Sequence, residues 1–311
     1  SCKMAFSGET AALYSRFLDG DREVHDELVK YVTEYFEQEL LWPQEYPSEL
    51  PERFPLRVLS LGDGPGAPSI QVARQLRDQY GSGLVQFEVY STDLSEDMSQ
   101  QAGERAEEAG FCEEDHTTSK SAVSMKFIAP LSADDPVALR QHFCDGSVDV
   151  VLMSFLLMFV GDRETCFAEA ARMLRPGGKL VFCVLNQFLM IDVLSNALDE
   201  VLRDEDMNLK LCQPIRPVPC LALKDWAVYV DNHIDGFDVE VSADFERFVR
   251  KAAPSLEVME WGIVEYDFPL RCRKGEEDTL LDMFCCLISD DNWAAICKRA
   301  PHLWGASNRR S

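Results

Sequence analysis

The sequence predicts an open α/β fold in which helices cover both faces of a mostly parallel β-sheet. Strand-like apolar segments alternate with helix-like segments between residues 56 and 186. The first of these strands runs directly into three glycines spaced two residues apart, Gly62, Gly64 and Gly66. Alternation at this spacing is typical of right-handed βαβ units, whose strands are parallel and whose ligand sites lie where a strand turns into a helix.

The first strand, 56–61, is apolar enough to be a central strand that is buried on both faces. Glycines after such a strand let the backbone turn sharply and approach a ligand without a Cβ in the way. A helix should follow, because Pro68 and Ser69 suit its first turn. Its inner face is predicted from the helical spacing of four apolar side chains: Ile70, Ala73, Leu76 and Tyr80.

The remaining elements follow from periodicity and from turn or capping residues. Residues 9–40 are predicted to be helical, with an apolar stripe made by Val24, Leu28, Val32, Tyr35, Phe36 and Leu40, and the four prolines of 42–55 mark an irregular linker. The later predicted segments are strands at 84–92, 125–129, within 145–154 and at 179–185, and helices at 96–109 and from Asp162 to Leu174.

The alternation stops after residue 186, which predicts a division into four parts. These are an N-terminal helical cap and proline-rich linker (1–55), a nucleotide-binding core (56–186), an insertion that forms an acceptor lid (187–243), and a C-terminal part of the core sheet with helices (244–311). In the last part, residues 244–253 have a helical pattern.

Composition and charge narrow the class of protein. The 311 residues include 54 acidic and 30 basic side chains, a formal net charge of −24. Such a field repels phosphate backbones and anionic lipid, which predicts neither nucleic acid nor membrane as partner, with the oligomeric state open. Eleven cysteines without a C-x-x-C pair or zinc-like spacing predict reduced thiols, no metal and a cytoplasmic location, with a cleaved targeting segment left open.

Four segments stand in the order found in one enzyme family: the glycine loop, residues 91–98, residues 145–155 and residues 169–181. Together they resemble the class I S-adenosylmethionine-dependent methyltransferases, in particular the small-molecule enzymes of ubiquinone and menaquinone biosynthesis. The resemblance covers residues 56–186. It implies a Rossmann-like class I methyltransferase fold, S-adenosylmethionine as the cofactor, and methyl transfer to a small-molecule acceptor at an O, N, S or C atom that the sequence does not identify.

The resemblance also implies roles for individual residues. The glycine loop would hold the methionine part of the cofactor with its N–H groups, and Asp93 would accept both ribose hydroxyls. Ser154 and Phe155 would lie beside the sulfonium. The other implied cofactor contacts are Tyr14, Asp63, Leu94 and Met98. Two alternatives stay open: Asp93 serves only as a cap of the next helix, and Ser154 and Phe155 only pack at the end of their strand.

Two positions depart from the family pattern. The acidic residue that the family often carries two positions before its first glycine is Ser60 here, and Asp63 either compensates or faces solvent. The aspartate that usually ends the third strand and binds adenine is also missing, since Pro130 and Leu131 follow that strand. Asp134 and Asp135 are the candidates to replace it.

A general base is needed only if the acceptor loses a proton at attack. The candidates are His233 and Tyr14, with His142 and His116 as further histidines. Three other functions are alternatives: a protein methyltransferase with a basic substrate, a non-catalytic subunit that binds S-adenosylmethionine or its demethylated product, and an NAD-dependent oxidoreductase. The last is disfavoured because its acidic residue should follow the glycines by about 20 positions, whereas Asp93 follows Gly62 by 31.

Overall fold

The computed structural model describes residues 22–41, 55–81, 85–111, 122–157, 159–183 and 247–257. All of them lie in one of the two compact units into which the chain divides, the unit made of Ala5–Val184 and Asp235–Leu270. The elements in chain order are α1 (Arg22–Leu41), β1 (Leu56–Leu61), α2 (Ala67–Tyr80), β2 (Phe87–Thr92), α3 (Glu96–Glu108), β3 (Val123–Ile128), α4 (Pro136–His142), β4 (Val148–Ser154), α5 (Arg163–Met173) and β5 (Leu174–Cys183).

The five strands form one sheet in the order β3-β2-β1-β4-β5, and every neighbouring pair is parallel. The predicted α/β class is therefore confirmed. The strand order reverses direction at β1, because the chain runs outwards to β3 and then returns to the other side of β1 as β4. Ligands of open α/β sheets bind at the carboxyl ends of the strands at such a switch point.

Apolar cores lie on both faces of the sheet, as expected for strands that are buried on two sides. Val150 and Leu152 of β4 belong to the core that α1 and α2 cover, whereas Val151 and Met153 point into the core beneath α5. The predicted stripe of α1 faces the first core: Leu28, Val32, Tyr35 and Phe36 are buried and Leu40 is partly buried. The side chain of Val24 lies outside the described residues.

Arg175 joins three elements at the amino end of the sheet. Its guanidinium pairs with the buried carboxylate of Asp149 on β4, and its Nη2 donates to Tyr35 Oη (2.6 Å) and to Glu39 Oε2 (2.7 Å) on α1. The other oxygen of Asp149 accepts the backbone N–H of Arg57 on β1 at 2.6 Å. The first residue of the Arg-Pro-Gly-Gly turn therefore anchors the N-terminal helix to the sheet.

Most predicted elements are present, with differences at their ends. β1, α2 and α3 agree with their predicted ranges to within one residue where these were given, and Asp162 caps α5 as expected. β2 begins at Phe87, whereas the predicted strand began at residue 84; Val85 and Gln86 precede the strand. Leu174, predicted on the inner face of the helix, is instead the first residue of β5: it pairs with Val148 ahead of an irregularity in the ladder.

Several predicted features lie outside the described residues, namely 9–21, most of the proline-rich linker, the fifth-strand residues 184–185, and the lid 187–243. The four-part domain division therefore stays a prediction. Residues 247–252 are helical, within the range predicted for that segment, and Phe248 and Val249 pack against the second core. Within the described ranges, no helix has the length and apolar character needed to cross a membrane.

Replacing Arg175 by Met should lower the free energy of unfolding by about 3 kcal/mol, because Asp149 would be left buried without its cationic partner. Urea denaturation of the two proteins measures this difference. The matched control is Lys251→Met, which removes an exposed ion pair with Glu164 and should cost less than about 1 kcal/mol. Equal losses in the two variants would contradict the anchoring role of Arg175.

Candidate functional site

The glycine loop after β1 adopts a backbone that needs glycine at three positions. Gly62, Gly64 and Gly66 have φ angles of +60°, +59° and +83°, in the left-handed region that other residues rarely adopt. A Cβ at Gly62 would collide with the side chain of Leu156, and one at Gly66 would lie 2.8 Å from Cβ of Ala102. Among the described residues, no atom apart from those of its chain neighbours lies within 4 Å of a Cβ built at Gly64. Within that part of the chain, the loop is thus packed at both ends and open in its middle.

The carboxylate of Asp63 is the polar centre of this loop. The residue is only 4% exposed. Its Oδ1 accepts a hydrogen bond from Ser60 Oγ at 2.7 Å, and its Oδ2 accepts from Ser69 Oγ and Ser91 Oγ, each at 2.5 Å. Because these serines belong to β1, α2 and β2, one side chain ties the loop to all three elements. The alternative that Asp63 faces solvent is wrong.

Burial raises the pKa of Asp63 to about 6, and the negative charge of Asp93 adds to that increase. The three serine hydroxyls stabilise the ionised form and lower the pKa in part. Desolvation outweighs them because a carboxylate in this position has lost contact with water. The side chain of Asp63 therefore holds the loop in place through its hydrogen bonds to the three serines. Its direct contact with a cofactor stays a prediction.

Asp93, directly after β2, is hydrogen-bonded to the middle of the glycine loop. Its Oδ2 accepts the N–H of Gly64 at 2.9 Å and its Oδ1 accepts the N–H of Ser95 at 2.8 Å, while burial raises its pKa above the ordinary value. The cap of α3 is Ser95, whose Oγ accepts the N–H of Met98. The alternative that Asp93 caps this helix is wrong. The N–H of Leu94 also stabilises the ionised carboxylate, and a carboxylate with three such partners can accept about one more hydrogen bond.

The backbone of the loop is less available to a ligand than its glycines suggest. The N–H of Asp63 donates to Thr92 O (2.8 Å), that of Gly64 to Asp93, and that of Gly66 to Asp63 O (3.2 Å). For these three amides the expectation of free N–H groups is wrong. Buried backbone donors need partners, and here the protein supplies them itself.

The neighbours of Asp93 complete this part of the edge. Leu94 is 53% exposed, which is unusual for a large apolar side chain, whereas Met98 is buried.

Neither aspartate proposed for adenine is free at the end of β3. Asp134 accepts Ser132 Oγ and the N–H groups of Gly161 and Asp162, and Asp135 caps α4 by accepting two further amides. Both carboxylates thus hold local backbone.

The carboxyl end of β4 carries the second half of the site. Phe155 has a φ angle of +51°, a strained value for a bulky residue, and its N–H donates to Cys183 O at 3.2 Å. Ser154 Oγ lies 3.4 Å from Nδ1 of His25 and 3.7 Å from Sγ of Cys183. Ser154 and Phe155 therefore lie at the expected edge, next to the strand that leads into the glycine loop.

His25 was missed by sequence reasoning. It lies three residues before Leu28, so that it extends the apolar stripe of α1, and it is 3% exposed. Burial lowers its pKa to about 4. A histidine in phase with an apolar helical face was the available signal.

Of the proposed general bases, only His142 lies in the described part of the chain, and it is not at this edge. Tyr14, His116 and His233 lie outside the described residues. His142 is exposed and is the last residue of α4, before β4 begins at the amino end of the sheet. It is therefore wrong as a base for this site. Among the described residues, no group of three or more His, Cys, Asp or Glu side chains could hold a metal.

Comparison with known proteins shows which family the residues around this edge resemble. Residues 59–182 match the family model described as a methyltransferase domain. Over 185 residues the chain is 26% identical to the polyketide synthase–nonribosomal peptide synthetase ffsA of Aspergillus flavipes, which covers 58% of this chain and 4% of that protein. Over 53 residues it is 47% identical to the demethylmenaquinone methyltransferase of Parafrankia sp. (strain EAN1pec), covering 17% of this chain and 20% of that enzyme.

Among solved structures, the DszA carbon methyltransferase aligns with a TM-score of 0.39 and 16% identity, over 67% of this chain and 47% of that one. The chain thus spans only a small part of the length of the curated relatives it matches, 4% of the synthetase and 20% of the quinone-pathway enzyme.

Replacing Asp63 by Asn should change how stability depends on pH. The folded pKa of about 6 lies above the unfolded value of about 4, so the folded protein binds more protons between these values. The free energy of unfolding of the unmodified chain, measured relative to Asp63→Asn, should therefore fall as pH rises from about 4 to about 6, by at most about 3 kcal/mol.

Urea denaturation of both proteins at a series of pH values between 4 and 7 measures this difference. Comparing the two proteins at each pH cancels the titration of all other carboxylates. Parallel stability profiles in the two proteins would show that the carboxyl of Asp63 is not shifted.

Proposed function

We propose that this chain, whose residues 59–182 match the family model of a methyltransferase domain, transfers the methyl group of S-adenosylmethionine to a small-molecule acceptor. The observation that carries the proposal is the hydrogen bond between Asp93 and Gly64 at the switch point of the sheet. It places a carboxylate with spare acceptor capacity beside the open middle of a glycine loop. This is the arrangement that a ribose and its attached chain require.

The described residues fit the cofactor in three respects. Asp93 can accept a ribose hydroxyl in addition to its backbone partners Gly64, Ser95 and Leu94. Leu94 offers an exposed apolar surface next to it, which suits a flat adenine base. The open space at Gly64 admits the methionine part of the cofactor. When bound, S-adenosylmethionine supplies a methyl carbon made electrophilic by a sulfonium. Roles for Tyr14, Met98, Ser154 and Phe155 in the same pocket remain proposals.

The protein's contribution to methyl transfer is mainly alignment and the exclusion of water. The end of β4 suits this task, because Phe155 and Leu157 are buried there and Phe155 is held by its backbone bond to Cys183. A strained backbone at this position is kept only if the surrounding structure holds it firmly. We therefore place the acceptor beside the end of β4. A base role for Tyr14 or His233 remains a proposal.

Two observations support a small-molecule acceptor. One relative is named for a small compound, demethylmenaquinone, and another is named as a polyketide and peptide synthetase. The net charge of −24 disfavours nucleic acid. The same charge favours a basic protein segment as a second candidate acceptor. Transfer of labelled methyl groups to a lysine- and arginine-rich peptide, and to no small molecule in an extract, would select that alternative.

Replacing Asp93 by Ala should weaken the binding of S-adenosylhomocysteine by at least about tenfold. Hydrogen bonds to a charged group contribute about 1.5–3 kcal/mol each, and tenfold corresponds to about 1.4 kcal/mol. Isothermal titration calorimetry measures the affinity. The matched control is Asp135→Ala, which removes the cap of α4 and should leave the affinity within about twofold. Unchanged affinity in Asp93→Ala would contradict the ribose assignment.

Gly64→Ala and Gly66→Ala should separate ligand binding from folding. In Gly64→Ala the new methyl group enters open space, so we expect a loss of about 1 kcal/mol of stability from the positive φ and a large loss of S-adenosylhomocysteine affinity. In Gly66→Ala the methyl group meets Ala102, so the loss of stability should be greater. Thermal unfolding and calorimetry of both variants measure the two effects. Normal affinity in Gly64→Ala would show that the cofactor does not use this space.

A further inference from the structure

Nε2 of His25 is a buried polar atom that has no hydrogen-bond partner among the residues that the structure describes. The whole residue is 3% exposed. Nearly all buried polar side-chain atoms in native proteins are hydrogen-bonded, because leaving one unpaired is unfavourable. Such an exception calls for a partner that is not part of the described protein, such as a bound molecule.

The other nitrogen of the ring places His25 at the carboxyl edge of the sheet. Nδ1 lies 3.4 Å from Oγ of Ser154, the last residue of β4. The ring also packs edge-on against Phe155, with ring centroids 6.3 Å apart. Leu156, the next residue, is the side chain against which Gly62 of the glycine loop is packed. His25 is therefore close to the strand end that faces the proposed methyl-transfer site.

The imidazole is neutral at physiological pH. Burial lowers its pKa to about 4, and the acidic neighbours on α1, Asp26 and Glu27, are exposed. A neutral imidazole has one nitrogen that donates and one that accepts. With the Nδ1 proton assigned to the bond with Ser154, the lone pair of Nε2 is available to accept a hydrogen bond.

We propose that Nε2 of His25 binds the acceptor molecule through a hydroxyl group, and that this acceptor is an uncharged alcohol or phenol. The inference rests on the proposed methyltransferase function. A neutral ring cannot balance the charge of a carboxylate or phosphate in a buried site, and the net charge of −24 opposes anions as well. Phe155 and Leu156 supply apolar contacts for the rest of the molecule. His25 orients the hydroxyl, since so weak a base stays neutral.

Two substitutions distinguish the two nitrogens of His25. In His25→Asn the side-chain amide can occupy the position of Nδ1 and keep the contact with Ser154, but no atom remains at Nε2. In His25→Gln the longer amide reaches the position of Nε2. Loss of hydroxyl recognition in the first variant and partial recovery in the second would be specific to Nε2. A purely structural role of the histidine would not produce that order.

The probe is 4-fluorophenol, with fluorobenzene as the control that lacks the hydroxyl. Binding of each to the full chain saturated with S-adenosylhomocysteine is measured by ¹⁹F NMR. We expect the unmodified chain to prefer 4-fluorophenol by about tenfold, His25→Asn to lose the preference, and His25→Gln to recover part of it. Equal binding of the two probes to the unmodified chain, or an intact preference in His25→Asn, would overturn the proposal.

A second measurement does not depend on how well the variants fold. In the unmodified chain labelled with ¹⁵N-histidine, 4-fluorophenol should shift the Nε2 resonance of His25. No shift at saturation would overturn the proposal, because the probe would then bind without contacting Nε2. Calorimetry with S-adenosylhomocysteine separates the two inferences: a chain that does not bind it refutes the proposed function, whereas normal binding without hydroxyl preference refutes only the role of His25.

Discussion

The structure of the candidate site depends on one interaction, the carboxylate of Asp63 held by the hydroxyls of Ser60, Ser69 and Ser91. This buried group joins β1, β2 and α2 at the point where the glycine loop leaves the sheet. A buried carboxylate is tolerated only with several hydrogen bonds, so the position of the three elements is tightly constrained. The constrained loop then presents the N–H of Gly64 to Asp93, and the two aspartates connect the packed interior to the open edge.

The departure of this sequence from the family pattern has a structural counterpart. Ser60 occupies the position where the family often has an acidic residue, and its hydroxyl donates to Asp63 three residues later. The acidic residue is thus a member of the loop, Asp63, and its side chain is buried beneath the loop backbone. Burial raises the pKa of Asp63 and the negative charge of Asp93 adds to the increase, while the three serines keep both oxygens of Asp63 hydrogen-bonded. The loop is consequently supported from below by side chains.

Asp149 at the amino end of the sheet and several groups at its carboxyl end differ in how completely they are paired. At the amino end, Asp149 is hydrogen-bonded to Arg175 and to the backbone of Arg57, an arrangement that serves stability. At the carboxyl end, Asp93 retains acceptor capacity, Gly64 borders open space, Phe155 is strained and Nε2 of His25 has no partner in the described chain. Incomplete pairing and strain on one edge are typical of a site that is completed by ligands.

Features that arise from local order were predictable from the amino-acid sequence. The strand β1, the glycine turn, the α2 helix and the cap by Asp162 depend on periodicity, turn residues and neighbours a few positions apart. The surroundings of Asp63, the partners of Arg175 and the place of His25 became visible only in the folded chain. Ser91 lies 28 positions from Asp63, His25 lies 129 positions from Ser154, and Tyr35 lies 140 positions from Arg175. Helical and strand periodicity shows which face of an element is buried, but the residue opposite it is set by the order of strands in the sheet.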